Sequence, residues 1–309
     1  MTEPRIAVLL PCYNEEAAIA QTIAGFRCAL PAATIYVYDN NSGDRTAEVA
    51  RAAGAIVRGE RMQGKGNVVR RMFADVDADI YVMADGDATY DAEAAPQLVD
   101  RLIAGQLDMV VGSRVTQADA AYRRGHVMGN RFLTGMLARL FGRSFTDILS
   151  GYRVFSRRFV KSFPVLTAGF EIETEISVHA LELRMPVGEV ETRYFARPEG
   201  SASKLSTYSD GLRISRTIVM LYRIERPLLF FGIIGGLVAL LGIILAVPLV
   251  VTYVQSGLVP RFPTAILVTG LMIFAALNFF AGLILDTVVR GRREMRRLAY
   301  LAIPGVASR

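Results

Sequence analysis

Through about residue 115 the chain alternates short β-branched, apolar runs with stretches of helical periodicity, the pattern of βα units around a mostly parallel sheet. The runs at 6–10, 34–38, 55–58, 80–84 and 109–112 predict strands. Between them 15–29, 45–53, 67–74 and 92–104 predict helices, several opened by a polar residue such as Asn14 or Ser42 that takes up unpaired helical N–H groups. The pattern changes after Arg226. No charged residue occurs over 227–260, and after Arg261 a second uncharged stretch covers 262–285. Each exceeds the roughly 20 residues that cross a bilayer. The segment LLFFGIIGGLVALLGIILAVPLVV is apolar on every face, which predicts spanning helices rather than buried core helices. Within them Gly232 and Gly236 form a GxxxG that permits close helix approach, and Asn278 is placed to hydrogen-bond across helices. Residues 209–224 read as an amphipathic helix near the membrane, Leu212, Val219 and Tyr222 on one side and Arg213, Arg216 and Arg223 on another.

Composition agrees with a mixed chain. At 52% hydrophobic and 21% charged, the 309 residues are too apolar for a wholly soluble protein and too charged for an all-membrane one, and disorder is excluded. The net charge of +6 would suggest nucleic acid if spread over a face. It sits instead at the membrane flanks: Arg213, Arg216, Arg223 and Arg226 less Glu225 before the first span, and Arg290, Arg292, Arg293, Arg296 and Arg297 less Glu294 after the second. That placement removes nucleic acid as a partner and predicts an integral membrane protein whose N-terminal domain and both termini are cytoplasmic. Cys12 and Cys28 make neither a metal-ligand spacing nor a disulfide framework, as expected in a reducing compartment. The apolar run at 6–10 is too short for a signal peptide. A two-helix hairpin buries little surface alone, so self-association is also expected.

Ligands of such sheets bind outside the carboxyl ends of the strands. There the chain carries PCYNEE (11–16), DNNSGDRT (39–46) and DGDATYD (85–91), three carboxylate-bearing strand ends converging on one cleft. A Rossmann fingerprint is absent, since GKGNVV (64–69) lacks the third glycine and does not follow the first strand; a P-loop is absent too. Asp85 and Asp87 lie two apart on extended chain and project to the same side. Such a pair suits Mg²⁺ or Mn²⁺, which few carboxylates hold together with substrate phosphates; the same spacing also suits a turn. Glu171, Glu173 and Glu175 read as a helix start before a base for a hydroxyl acceptor. His126 and His179 have no partner at useful spacing and read as packing or surface residues.

The ordered set PCYNEE, Asp39 in DNNSGDRT, GKGN (64–67), DGD (85–87), GSR (112–114), SGYRVF (150–155) and RPEGSASKL (197–205) resembles glycosyltransferase family 2, in its polyprenyl-phosphate branch of the dolichyl-phosphate mannose synthase type. The resemblance covers about residues 5–226 by motif and the hairpin in architecture. It implies an α/β fold: a GT-A nucleotide-sugar-binding domain with a Rossmann-like mixed sheet over 1–204, a juxtamembrane helix over 205–226, two transmembrane helices over 227–289 and a basic cytoplasmic tail over 290–309. It implies an inverting, metal-dependent, membrane-bound transferase that moves a sugar from a UDP- or GDP-sugar to undecaprenyl or dolichyl phosphate on the cytoplasmic face. By position, Pro11, Tyr13, Glu15, Asp39 and Asn40 match residues lining the base and ribose, and Lys65 a basic residue near the nucleotide. Asp85 and Asp87, with Gly86 between them, match the metal pair, and Thr89 stands where several relatives carry glutamine. Arg114, Arg131 and Arg153, with Ser150, match a cluster that grips the lipid phosphate, for which the planar guanidinium fork is suited. Arg197 and Lys204 match basic residues of a lid closing over the donor diphosphate. The rivals are a transferase to a lipid or glycan hydroxyl and a non-catalytic nucleotide-sugar-binding scaffold. A processive synthase is disfavoured, because its QxxRW signature needs tryptophan and the chain has none.

Overall fold

The computed structural model describes residues 4–116, 146–165, 169, 172–198, 220, 222–224 and 226–306. Arg131, Lys204, His126, Glu171 and most of 205–226 lie outside the described residues. One compact unit is drawn from Met1–Gly211 with Arg296–Arg309, the other from Leu212–Met295.

In the first unit β1 (Ile6–Cys12), β2 (Thr34–Asp39), β3 (Ile56–Gly59), β4 (Ile80–Met83), β5 (Met109–Thr116), β6 (Arg153–Ser156) and β7 (Val187–Tyr194) make one sheet, ordered β3-β2-β1-β4-β6-β5-β7. Only β6 runs against its neighbours; the other pairings are parallel. The carboxyl ends of β1, β2, β4, β5 and β7 therefore meet the start of β6 at one edge. The helices are α1 (Ile19–Ala29), α2 (Thr46–Ala52), α3 (Lys65–Asp75), α4 (Ala95–Ala104), α5 (Arg157–Ser162) and α6 (Ile172–Glu182).

Apolar side chains cover both faces of the central strands, as parallel sheets require. On one side Val8, Leu10, Val82 and Val154 pack with Phe26, Leu98 and Leu102 of α1 and α4. On the other, Phe73 of α3 meets Tyr81 and Phe155 edge-on, and Phe155 stacks on Phe159 of α5. Each such buried side chain contributes about 1.5–3 kcal/mol. Helix α1 begins four residues later than the periodicity predicts. Asn14 has φ 53°, the Asn14 N–H donates to Ser42 Oγ and the Glu15 N–H to Thr46 Oγ1, so the chain after β1 is tied down as a loop over the sheet edge.

In the second unit α7 (Pro227–Ser256) pairs with α8 (Phe262–Leu301), whose last turns lie in the first unit. Both helices are long and apolar enough to cross a membrane. The glycines that let them approach are not Gly232 and Gly236, which have nothing within 4 Å of an added Cβ. A Cβ on Gly235 would meet the Ala275 carbonyl oxygen at 2.9 Å, and one on Gly282 the Leu228 Cα at 3.2 Å. Asn278 donates to Phe274 O within its own helix rather than across the pair.

In the basic stretch from residue 290, expected as a tail, α8 continues to Leu301. Within the first unit, fully buried Asp108 accepts from Ser156 Oγ, from Arg158 through both carboxylate oxygens, and from Tyr300 Oη at 2.7 Å. Arg296 pairs with Glu182 at 2.7 Å.

Candidate active site

After β4 the chain turns sharply through Asp85, Gly86 and Asp87. A Cβ on Gly86 would collide with the Cys12 sulfur of β1, and the Gly86 carbonyl accepts from Thr22 Oγ1, so only glycine fits between the two carboxylates. Asp87 is buried. Its Oδ1 accepts from the Thr89 N–H and hydroxyl at 3.2 and 2.6 Å, and its Oδ2 pairs with Arg197 at 2.7 Å. Arg197 follows β7, and the Phe195 N–H donates to Thr89 O at 2.8 Å, which keeps that segment beside the carboxylates.

Asp85 faces Lys65, the first residue of α3. The ammonium bridges Asp85 Oδ1 and Glu173 Oε1, each at 2.5 Å, with Glu173 supplied by the first turn of α6. A Cβ on Gly151 would lie 3.0 Å from Asp85 Oδ2 and 3.2 Å from Lys65 Nζ, so the glycine of SGYRVF keeps this cluster open. The Gly151 N–H donates to Tyr90 Oη at 2.8 Å.

Three carboxylates thus share two cations. Burial, and then the neighbouring Asp85, push the Asp87 carboxyl above the usual range, against the pull of Thr89 and Arg197. Burial alone would lower the Lys65 ammonium, but Asp85 and Glu173 outweigh it and hold the group charged. Among the described residues no group of three His, Cys, Asp or Glu is assembled that could hold a metal on its own. A two-carboxylate donor set fits Mg²⁺ or Mn²⁺, which take their remaining ligands from phosphate and water.

On the β1–β2 side, Tyr13 is exposed, whereas Pro11 and Glu15 are buried. Asp39 Oδ2 accepts from the Ser42 N–H, and its Oδ1 is buried without a hydrogen-bond partner among the described residues, an acceptor suited to an N–H of a base. Asn40 is different. Its amide donates to Glu60 O and Met62 O and accepts from the Gly64 N–H, which braces the loop that leads to Lys65.

The expected lipid-phosphate cluster also divides. Arg114 makes a two-pronged pair with Asp147 at 2.7 and 2.9 Å and lies over the Tyr194 ring, and it remains partly exposed. Ser150 and Arg153 are completely buried. Ser150 Oγ donates to Gly112 O at 2.6 Å; Arg153 donates to Ser150 O, Ile148 O and Ser177 Oγ. Burial lowers the Arg153 guanidinium to about 10, which leaves it cationic at neutral pH. These two residues fasten the loop before β6 through backbone and buried side-chain partners. Glu173, which resembled a helix-start residue, and Tyr90 were not expected in the cluster. The one signal for Glu173 is that a buried Lys65 requires a second counter-charge.

Residues 7–163 match the family model described as Glycosyl transferase family 2. An uncharacterized protein of Shigella flexneri is 59% identical over 155 residues, covering 50% of this chain and 95% of its own. Glycosyltransferase AglJ of Haloferax volcanii is 32% identical over 97% of this chain and 99% of its own length. A dolichyl-phosphate hexose transferase of the same organism is 28% identical over 72% and 95%. Among solved structures, glucosyl-3-phosphoglycerate synthase of Mycobacterium tuberculosis with Mn²⁺ and uridine-diphosphate-glucose shares the fold, with TM-score 0.59 and 24% identity over 71% of this chain and 78% of that one.

Proposed function

The chain belongs to glycosyltransferase family 2, and we propose that it moves one sugar, with inversion, from a nucleoside-diphosphate sugar to a polyprenyl phosphate at the cytoplasmic face of a membrane. The observation that carries the reading is the Asp85–Asp87 pair at the carboxyl edge of the sheet, with Lys65 and Arg197 bound directly to it. A divalent cation held there would offset the charge that develops on the departing diphosphate. Arg197 supplies a planar fork for phosphate oxygens, and Asp39 Oδ1 an acceptor for the base. A relative is named for dolichyl-phosphate hexose transfer, and a protein of the same fold was solved with Mn²⁺ and a UDP-sugar.

The acceptor is a phosphate monoester. With a second pKa near about 6 such a group is largely dianionic at neutral pH and attacks without a protein base. Glu173, the one described glutamate inside the cluster, is held by Lys65 and is not placed as a base for a hydroxyl, which favours phosphate over the rival acceptor. Arg114, half-buried and backed by the Tyr194 ring, is assigned to that phosphate together with Arg131, and Arg197 and Lys204 to the donor diphosphate, on their match to the family's motifs. Residues 1–204 form the catalytic domain and 227–289 the anchor, with the basic flanks keeping both termini cytoplasmic.

The test is transfer of radiolabel from a panel of UDP- and GDP-sugars to undecaprenyl and dolichyl phosphate in detergent, with and without Mg²⁺ or Mn²⁺. Metal-dependent labelling of the lipid by one donor is expected. Nucleotide-sugar binding with no lipid product would overturn the acceptor.

A further inference from the structure

The two cations on the carboxylate pair are held in different ways. Lys65 sits at the first position of α3, its side chain 9% exposed, and it has two carboxylates, Asp85 and Glu173, at equal distance. Should Asp85 turn to another cation, Lys65 keeps Glu173, itself 7% exposed, and neither buried charge is stranded. Arg197 lies on the segment beyond β7, its side chain 29% exposed, and meets the pair through Asp87 Oδ2. Arg197 and a divalent cation on that one oxygen repel each other, and the carboxylate's other oxygen is already held by Thr89.

We propose that Arg197 is a latch on Asp87 that exchanges for a divalent cation, while Glu173 pins Lys65 so that Asp85 is released without unpairing a buried charge. The latch rests on the reading of the site given above. In the free protein Arg197 neutralises Asp87 and competes with the cation. A nucleoside diphosphate that draws Arg197 from Asp87 leaves Oδ2 to the cation, and a seated cation in turn releases Arg197 toward the diphosphate. Cation and nucleotide therefore favour each other's binding, and by linkage the factor is reciprocal. The device keeps the carboxylates from capturing a cation in the absence of donor.

The experiment is titration of Mn²⁺ by electron paramagnetic resonance on the full chain in detergent, with and without UDP or GDP, in four proteins: wild type, Arg197→Gln, Glu173→Gln and Arg114→Gln. Arg197→Gln is expected to raise nucleotide-free Mn²⁺ affinity about tenfold and to lower the nucleotide-dependent gain by a similar factor, within the ordinary range of coupling between sites. Glu173→Gln is expected to weaken Mn²⁺ by a similar factor with and without nucleotide, leaving the gain intact, because Lys65 then leans on Asp85 alone. Arg114→Gln, whose charge is held by Asp147, is expected to leave nucleotide-free Mn²⁺ affinity unchanged. Unchanged nucleotide-free affinity in Arg197→Gln, or an equal rise in Arg114→Gln, overturns the latch while leaving the transferase reading in place. A wild type that binds Mn²⁺ but neither nucleotide overturns the donor site, and the latch with it.

Discussion

The sulfur of Cys12 occupies the space into which a side chain on Gly86 would have to project. One cysteine at the end of β1 thus dictates the residue between the two carboxylates after β4. Gly86→Ala is expected to cost about 1–3 kcal/mol through overpacking and to displace Asp85 and Asp87 enough to weaken Mn²⁺ binding. Adding Cys12→Ala should recover part of both losses, read as a coupling energy in a double-mutant cycle of thermal unfolding. Strict additivity would show that the two positions do not meet.

Arg153 and Arg114 should separate on assay. Arg153→Met leaves the carbonyls of Ser150 and Ile148 without their donor, so a stability loss of about 3 kcal/mol is expected, with any change in activity following the folded fraction. Arg114→Gln should instead raise the KM for the lipid phosphate at least several-fold while the donor KM stays near wild type. Steady-state kinetics with each substrate varied, beside melting curves, distinguishes them.

His179 gives the fold an acid-side weakness. Burial, and then the charge of Arg296, lower its imidazole to about 3, from an ordinary 6.5. The unfolded chain therefore takes up the proton first. Stability is full above about pH 6.5 and falls as pH drops toward about 3, by up to about 1.4 kcal/mol per pH unit for one proton. Between pH 6.5 and 5, above the usual range of exposed carboxylates, His179→Phe should flatten the dependence of the melting temperature. An unaltered slope would show that another group sets it.

The end of α8 is part of the fold of the first unit. Tyr300→Phe removes one of the donors that satisfy fully buried Asp108 and should cost about 1.5–3 kcal/mol, the range for a hydrogen bond to a charged group. Hydrogen exchange over 296–306 should rise in parallel. Wild-type exchange in the variant would mean that the contact contributes nothing to holding the segment.

The parallel strands were legible because each is an apolar run that both sheet faces bury, and β1 to β5 fall within a few residues of the expected runs. Strands β6 and β7 were not. RVFS is four residues long and opens on a buried arginine; VGEVETRY lies beside β5 at the end of the described strand order and carries three charges, so neither has the expected signature. At the site, the Asp85–Asp87 pair, Lys65 and Arg197 could be read from motif order, and the structure brings them together. Motif order does not tell which side chains also brace the loops, and the bonds of Asn40, Ser150 and Arg153 to backbone carbonyls were not legible in it. Gly232 and Gly236 show the same limit: the spacing suits close packing, but the facing helix meets Gly235.

The central claim is tested most directly by sugar transfer to polyprenyl phosphate in wild type and Asp87→Asn, with melting curves showing both proteins folded. The account expects metal-dependent lipid product from wild type and at least about a hundredfold less from the variant, the scale of losing a principal electrostatic stabiliser. Equal product from the two proteins, or wild-type product that persists undiminished in chelator, would contradict it.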